Sequence, residues 1–220
     1  MLFRSLDAYP RNPERDAEVA RSQGADALFM PEPGAMYHPD HGTWVEVPEL
    51  SHGLCGLSRP VHFRGVCTVV LKLFMLTQAD VAVFGQKDWQ QQAILRRMVR
   101  DLDVPVRIET RETVREADGL ALSSRNVYLS ADERARAPEI RKALLFAQKL
   151  AQSGETSVKL LRESVLRRWA EFLPMGRLDY LSIVHPESMT PLTEVNGPAL
   201  MACAVRLGKA RLIDNILLRS

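Results

Sequence analysis

Cysteine is scarce in this chain: Cys55, Cys67 and Cys203 are the only three in 220 residues. An odd, widely spaced set forms neither a disulfide framework nor a zinc-ligand spacing, which points to a reducing compartment, the cytoplasm. An excess of charge of one sign is missing too. The 29 Lys and Arg against 27 Asp and Glu leave a net charge of +2, too balanced to argue for nucleic acid or an anionic membrane surface. No uncharged apolar run approaches the roughly 20 residues that span a bilayer. The best candidate, Val66–Leu76, is interrupted by Lys72. Nor is there a secretory apolar stretch at the start, where Met1-Leu2-Phe3-Arg4-Ser5 is followed at once by Asp7, Pro10 and Arg11. Internal repeats and low-complexity segments are also lacking. What remains is an ordinary globular composition, 46% apolar and 25% charged. It excludes a disordered or collagen-like chain, at a length that suits one large domain or two small ones.

Asn12-Pro13 reads as a helix start, with Asn as cap and Pro at the first helical position, and the helix should stop at Gly24. Ala27–Met30 and Thr43–Val47 read as short strands around a Pro-, Gly- and His-rich surface loop over residues 31–43. Phe63–Leu76 is apolar nearly all round and too long for a strand, so it reads as a buried helix. Val81–Phe84 and Val106–Glu109 are compact strands separated by an amphipathic helix, Trp89–Asp101, a pattern that indicates a parallel sheet with crossover connections. The second half differs. Ser130-Ala-Asp-Glu133 matches a capping box, helices follow at Glu139–Ala151 and Val158–Phe172, and three strands close the chain at Leu178–Val184, Ala199–Leu207 and Arg211–Ile216. The last two should form a hairpin across Gly208-Lys209. Two units are expected, residues 1–111 and residues 112–220, the second of α+β type.

Two segments carry chemistry. The first is the strand-to-helix turn Gly85-Gln86-Lys87-Asp88. A helix N-terminus offers unpaired N–H groups and the positive end of the dipole, and glycine lets a phosphate approach the backbone. Lys87 adds a mobile charge, Asp88 suits a magnesium ion or a sugar hydroxyl, and Gln91 lies one turn on, facing the same way. The plain alternative is an ordinary strand–turn–helix with a solvated Lys–Asp pair. The second segment is Asp118-Gly119-Leu120-Ala121-Leu122-Ser123-Ser124-Arg125-Asn126. Two hydroxyls and a guanidinium after a glycine turn suit a polyphosphate; the alternative is a polar loop capping the helix near Ala131. One cationic group from each unit could close on a nucleotide between them. The clusters Arg96, Arg97, Arg100 and Arg162, Arg167, Arg168 lie on amphipathic helices among acids, as solvated faces do. His38-Pro-Asp-His41 reads as a solvated loop rather than a metal site.

These segments, with Arg59-Pro-Val-His62-Phe-Arg-Gly-Val66, Arg115-Glu-Ala-Asp118, Tyr9-Pro-Arg11 and Gly208-Lys-Ala-Arg-Leu-Ile-Asp-Asn215, resemble the pantothenate synthetase family along the whole chain and in order. The resemblance implies an ATP-dependent ligase. It would condense (R)-pantoate with β-alanine through a pantoyl adenylate, release AMP and pyrophosphate, require magnesium and act as a homodimer, with no nucleic acid or membrane partner. It also implies an α/β fold: a Rossmann-like, class I synthetase-type nucleotide-binding domain followed by a smaller C-terminal lid domain. Carried over position by position, Gly85, Gln86, Lys87 and Asp88 would bind ATP, and Gln91 would bind pantoate. The backbone of Val114 would meet adenine, and Leu122, Ser123, Ser124 and Arg125 would form the phosphate loop. Lys87, Arg125, Ser123 and Ser124 would be the catalytic groups.

The family's opening strand, Pro-Thr-Met-Gly turn and His-x-Gly-His loop have no counterpart here, nor does its Asn-Pro-x-Gln-Phe segment. His38, His41, His52, His62 and His185 all stand in other settings. The Rossmann-like domain is therefore expected to lack its first β-α-β unit and to expose the apolar faces that unit would cover. Two other readings stay open on residues alone. One is a nucleotidyltransferase of the same superfold, without the Gln90-Gln91 pair; the other is a truncated copy that binds without turnover.

Overall fold

The structure, a computed structural model, describes residues 12–219, so Tyr9-Pro10-Arg11 lies outside it. The first helix forms as its cap predicts. The side-chain oxygen of Asn12 accepts from Arg15 N at 3.1 Å, and Pro13 opens α1 (Pro13–Ser22).

The two strands expected next do not form. Ala27–Met30 is irregular, with Leu28, Phe29 and Met30 about half exposed. No described strand lies alongside it, and an extended segment without a neighbour has no ladder to complete. Thr43–Val47 keeps its alternation, with Val45 half-buried and Val47 buried, yet the Val45 N–H donates to Thr68 Oγ1 (3.0 Å) instead of to a strand. The loop between them holds one helical turn, α2 (Pro33–Met36). Two further single turns, α3 (Pro48–Ser51) and α4 (Cys55–Ser58), lead into the long apolar helix α5 (His62–Thr77). That helix forms where expected, but it is not buried all round. Phe63, Cys67 and Phe74 face the core while Met75 and Leu76 are exposed.

The β-α-β unit that follows matches its sequence pattern closely. Strand β1 (Val81–Gly85) passes through a 3-10 turn, Gln86–Asp88, into α6 (Trp89–Asp101), and the chain returns as β2 (Arg107–Arg111). The two strands pair in parallel from Val81↔Arg107 to Gly85↔Arg111. Ile94, Leu95 and Met98 form the buried stripe of α6. On β1, Val81 and Val83 are exposed.

In the second half, Ser130 and Glu133 form the anticipated capping box at the start of α7 (Ala131–Arg136). Helices α8 (Glu139–Gln152) and α9 (Val158–Phe172) follow. An antiparallel meander, β3 (Arg177–Val184), β4 (Ala199–Leu207) and β5 (Ala210–Arg219), ends the chain. Gly208 supplies the left-handed conformation of the β4–β5 turn (φ +51°), which side-chain-bearing residues rarely adopt.

Both faces of the meander are covered. Met201, Cys203 and Val205 pack with Leu144, Leu161 and Val165 of α8 and α9. Leu200 and Ala202 turn the other way and join the core built on Ile94, Leu95 and Met98. Burial on both faces is why β4 reads as one apolar run rather than an alternation. Each fully buried leucine here contributes about 1.5–3 kcal/mol relative to exposure. The central sheet of the second half is thus also a wall of the first, and it brings β5 beside the turn after β1. No helix among the described residues is long and apolar enough to cross a membrane.

Candidate active site

The turn after β1 is held from two sides. Gln92 Nε2 donates to the Gly85 carbonyl (2.7 Å), and its Oε1 accepts from Thr110 Oγ1 (2.8 Å), tying the end of β1 to β2. From the second half, Asn215 Nδ2 donates to the carbonyls of Gln86 (3.0 Å) and Lys87 (2.9 Å). Gly85 itself is extended (φ −76°, ψ 139°), and a Cβ there would meet nothing within 4 Å. The chain's own packing therefore does not demand glycine at this position, and the space beside it is open.

The second predicted segment is equally braced. Gly119 (φ +92°) turns a small hairpin in which Arg115 bridges Ala121 and Leu120 N donates to Asp118 Oδ1 (3.1 Å). Arg115 donates both guanidinium arms to Asp214 of β5 at 2.8 Å, and also reaches the Gly119 carbonyl. Beyond this hairpin Ser123 Oγ accepts from Arg125 N (3.2 Å), opening a 3-10 turn over Ser124–Tyr128. The cap of α7 is Ser130, so Ser123 and Ser124 are not spent on capping that helix.

Between the two segments lies a cleft open to solvent. Lys87, Asp88, Gln91, Ser123 and Arg125 line it, together with Arg59, His62 and Arg211. The smaller recess beside it shares Lys87 and Ser123 and continues to Leu120 and Ala121. Gly85, Gln86, Val114, Leu122 and Ser124 do not line the cleft. Val114 is 67% exposed and its carbonyl accepts from Leu122 N (2.9 Å).

Cationic groups dominate the cleft. Arg211 is held by Asp179 (2.7 Å) and lies over the ring of Tyr180, whose hydroxyl is 3.3 Å from Cys55 Sγ. Burial, followed by the nearby Arg125, lowers the pKa of Arg59. Arg59 Nη1 lies 2.9 Å from His62 Nε2. A guanidinium only donates, so Nε2 is the acceptor and the neutral ring carries its proton on Nδ1. Burial and then the charges of Arg59, Arg125 and Arg211 depress His62 from 6.5 to about 4. The folded protein thus keeps His62 neutral while the unfolded chain protonates it near 6.5. Between those values the unfolded state binds more protons, so stability falls as pH falls. Thermal midpoints measured from pH 7 to pH 4.5 should drop more steeply for the native protein than for His62→Gln. Parallel curves would contradict this.

Gln90 does not face a ligand with Gln91. Its amide donates to the carbonyls of Leu50 and Gly53 and accepts from Cys55 N. In doing so it brackets Leu54, whose backbone is strained (φ 51°, ψ −117°). Of the glutamine pair, only Gln91 has its side chain left for chemistry. Among the described residues no three His, Cys, Asp or Glu side chains gather as a metal cluster. His38, Pro39 and Asp40 are exposed, as a solvated loop should be, while His41 is half-buried and packed edge-on against Tyr37 and Trp44. Arg59, His62, Arg211, Asp214 and Asn215 stand in the sequence only within longer motifs. Their place in the site could not be read from spacing, because each arrives from a distant element.

The chain is similar to proteins of one family along nearly its whole described length. A family profile described as pantoate-beta-alanine ligase matches residues 4–217. A pantothenate synthetase of Desulfovibrio desulfuricans is 79% identical over 215 residues, 98% of this chain and 76% of that protein. One from Nitratidesulfovibrio vulgaris is 58% identical, over 97% of this chain and 75% of its own length. The crystal structure of pantothenate synthetase from Thermus thermophilus superposes with a TM-score of 0.92 at 44% identity, covering 97% of this chain and 77% of that one. A Francisella tularensis pantoate-beta-alanine ligase, solved with beta-gamma ATP and beta-alanine, superposes at 0.74 with 28% identity, over 97% of this chain and 73% of its own. These names are of one ligase and not of a nucleotidyltransferase. The chain belongs to the pantoate–β-alanine ligase, or pantothenate synthetase, family.

Proposed function

We propose that this chain condenses (R)-pantoate with β-alanine, using ATP, and that its cleft holds the reacting groups. The observation that carries the reading is the convergence of Lys87, Asp88 and Gln91 from the first half with Ser123 and Arg125 from the second. In the first step a pantoate carboxylate oxygen attacks the α-phosphorus. The bond from that phosphorus to the bridging oxygen breaks, and pyrophosphate leaves. In the second the β-alanine amine attacks the acyl carbon of the pantoyl adenylate, AMP leaves, and the nitrogen gives up a proton.

Adenylyl transfer asks a protein mainly to position reactants and neutralise charge. Lys87 and Arg125 would take the triphosphate with Ser123 as a further donor in the cleft, while Ser124, Gly85 and Gln86 would meet it only from beyond the lined walls. Gln91 would hydrogen-bond pantoate. Adenine, assigned to the backbone of Val114, would lie outside the lined cleft along the exposed stretch from Val114 to Leu122. Asp88 is an exposed carboxylate beside the predicted phosphate ligands, the single protein oxygen donor that magnesium commonly takes when phosphates and water complete its shell. Magnesium bound there would supply charge neutralisation on the departing pyrophosphate. We assign residues 1–111 to a nucleotide-binding domain and residues 112–220 to a lid, in a cytoplasmic homodimer.

The reading is tested by ATP–pyrophosphate exchange. Exchange that saturates with pantoate is the expected result. Exchange indifferent to pantoate, or driven by a phosphorylated acceptor, would refute it, and ATP binding without exchange would mark a chain that only binds.

A further inference from the structure

We propose that Asn215 is a positioning residue for Lys87, so that the phosphate-binding turn of the first half is set by a strand of the second. Asn215 is buried on β5, and its one amide group donates to the carbonyls of both Gln86 and Lys87, at 3.0 and 2.9 Å. Neighbouring residues on a strand point to opposite faces. Asp214 accordingly holds Arg115, at the foot of the hairpin that leads into Ser123–Arg125, while Asn215 holds the turn that carries Lys87. Two adjacent residues of one strand thereby fix the two cationic segments relative to each other. The backbone of Asn215 is itself braced: its N–H donates to Asp214 Oδ1 (2.8 Å) and its carbonyl accepts from Arg141 Nη1 (3.0 Å). An anchor held this way transmits β5's position to the turn. Without the amide, the two carbonyls lose a common donor and the turn loses its only side-chain tie to β5 among the described residues.

The inference rests on the reading that Lys87 binds phosphate, and a double-mutant cycle separates the two. ATP affinity is measured by titration calorimetry for the native chain, Asn215→Ala, Lys87→Ala and the double variant. Should Asn215→Ala fail to fold, the cycle is run with Asn215→Ser, which retains a donor. Asn215→Ala is expected to weaken ATP about 10-fold when Lys87 is present and less than about 2-fold when it is absent, the signature of residues acting as a unit. Equal losses in both backgrounds, or no loss in either, would overturn the positioning role alone. Undiminished ATP affinity in Lys87→Ala would overturn the phosphate role of Lys87 and this inference with it.

Discussion

Lys87→Ala should lower the rate of pantoate-dependent pyrophosphate release by about 10²–10³-fold, the usual loss when one charge-stabilising donor is removed from a transition state. The ammonium is carried on a turn whose backbone carbonyl is held by Asn215, so removing the side chain leaves that anchor in place. Thermal stability should accordingly change by no more than about 0.5 kcal/mol, the ordinary range for a side chain outside the core. The side chain is half-buried in a cleft it shares with Arg59, Arg125 and Arg211. Arg125 and Arg211 repel Arg59 across that cleft, a repulsion that a bound polyanion would offset. Lys87→Arg should recover only part of the rate, because a planar fork replaces a compact charge. The check is a steady-state assay of pyrophosphate release with pantoate and ATP, beside a melting curve. A near-native rate for Lys87→Ala would remove it from the mechanism.

The second large effect is on stability. Asp214→Ala should destabilise the protein by about 3–5 kcal/mol, the cost of leaving a buried charge without its partner. Asp214 is 5% exposed and the Arg115 side chain 19%, and the two meet through paired 2.8 Å bonds. After the substitution Arg115 would retain the Gly119 carbonyl at 3.1 Å. At roughly 2–4 °C per kcal/mol for a chain of this size, the midpoint should fall by about 6–20 °C. Replacing both partners with apolar residues of similar volume should recover much of that loss, because the penalty belongs to the orphaned charge and not to the missing attraction. Urea unfolding of the single and double variants measures this directly. A loss below about 1 kcal/mol for Asp214→Ala would show that the pair contributes little.

The two effects are linked through β5. Asp214 supports the hairpin that feeds Ser123 and Arg125, while Asn215 supports the turn bearing Lys87. Loss of Asp214 should therefore reduce activity as well as stability, whereas loss of Lys87 should reduce activity alone.

Much of this protein was determined by local sequence. The helix at Trp89–Asp101, the parallel pair around it, the capping box at Ser130 and the closing meander form close to where periodicity and turn chemistry place them. The cleft-lining residues Lys87, Asp88, Gln91, Ser123 and Arg125 were legible because they lie in two short contiguous stretches. Tertiary structure decided the rest. Ala27–Met30 has strand-like residues but no described neighbour to pair with, and a strand exists only through its partner. Gln90, adjacent to Gln91 and chemically identical, is consumed by three backbone bonds to residues 50–55, which spacing cannot reveal. Arg59, Arg211, Asp214 and Asn215 join the site from segments far apart in the chain. Their roles depend on which face each presents and on how the second sheet packs against the first, and both are settled only when the two cores share β4.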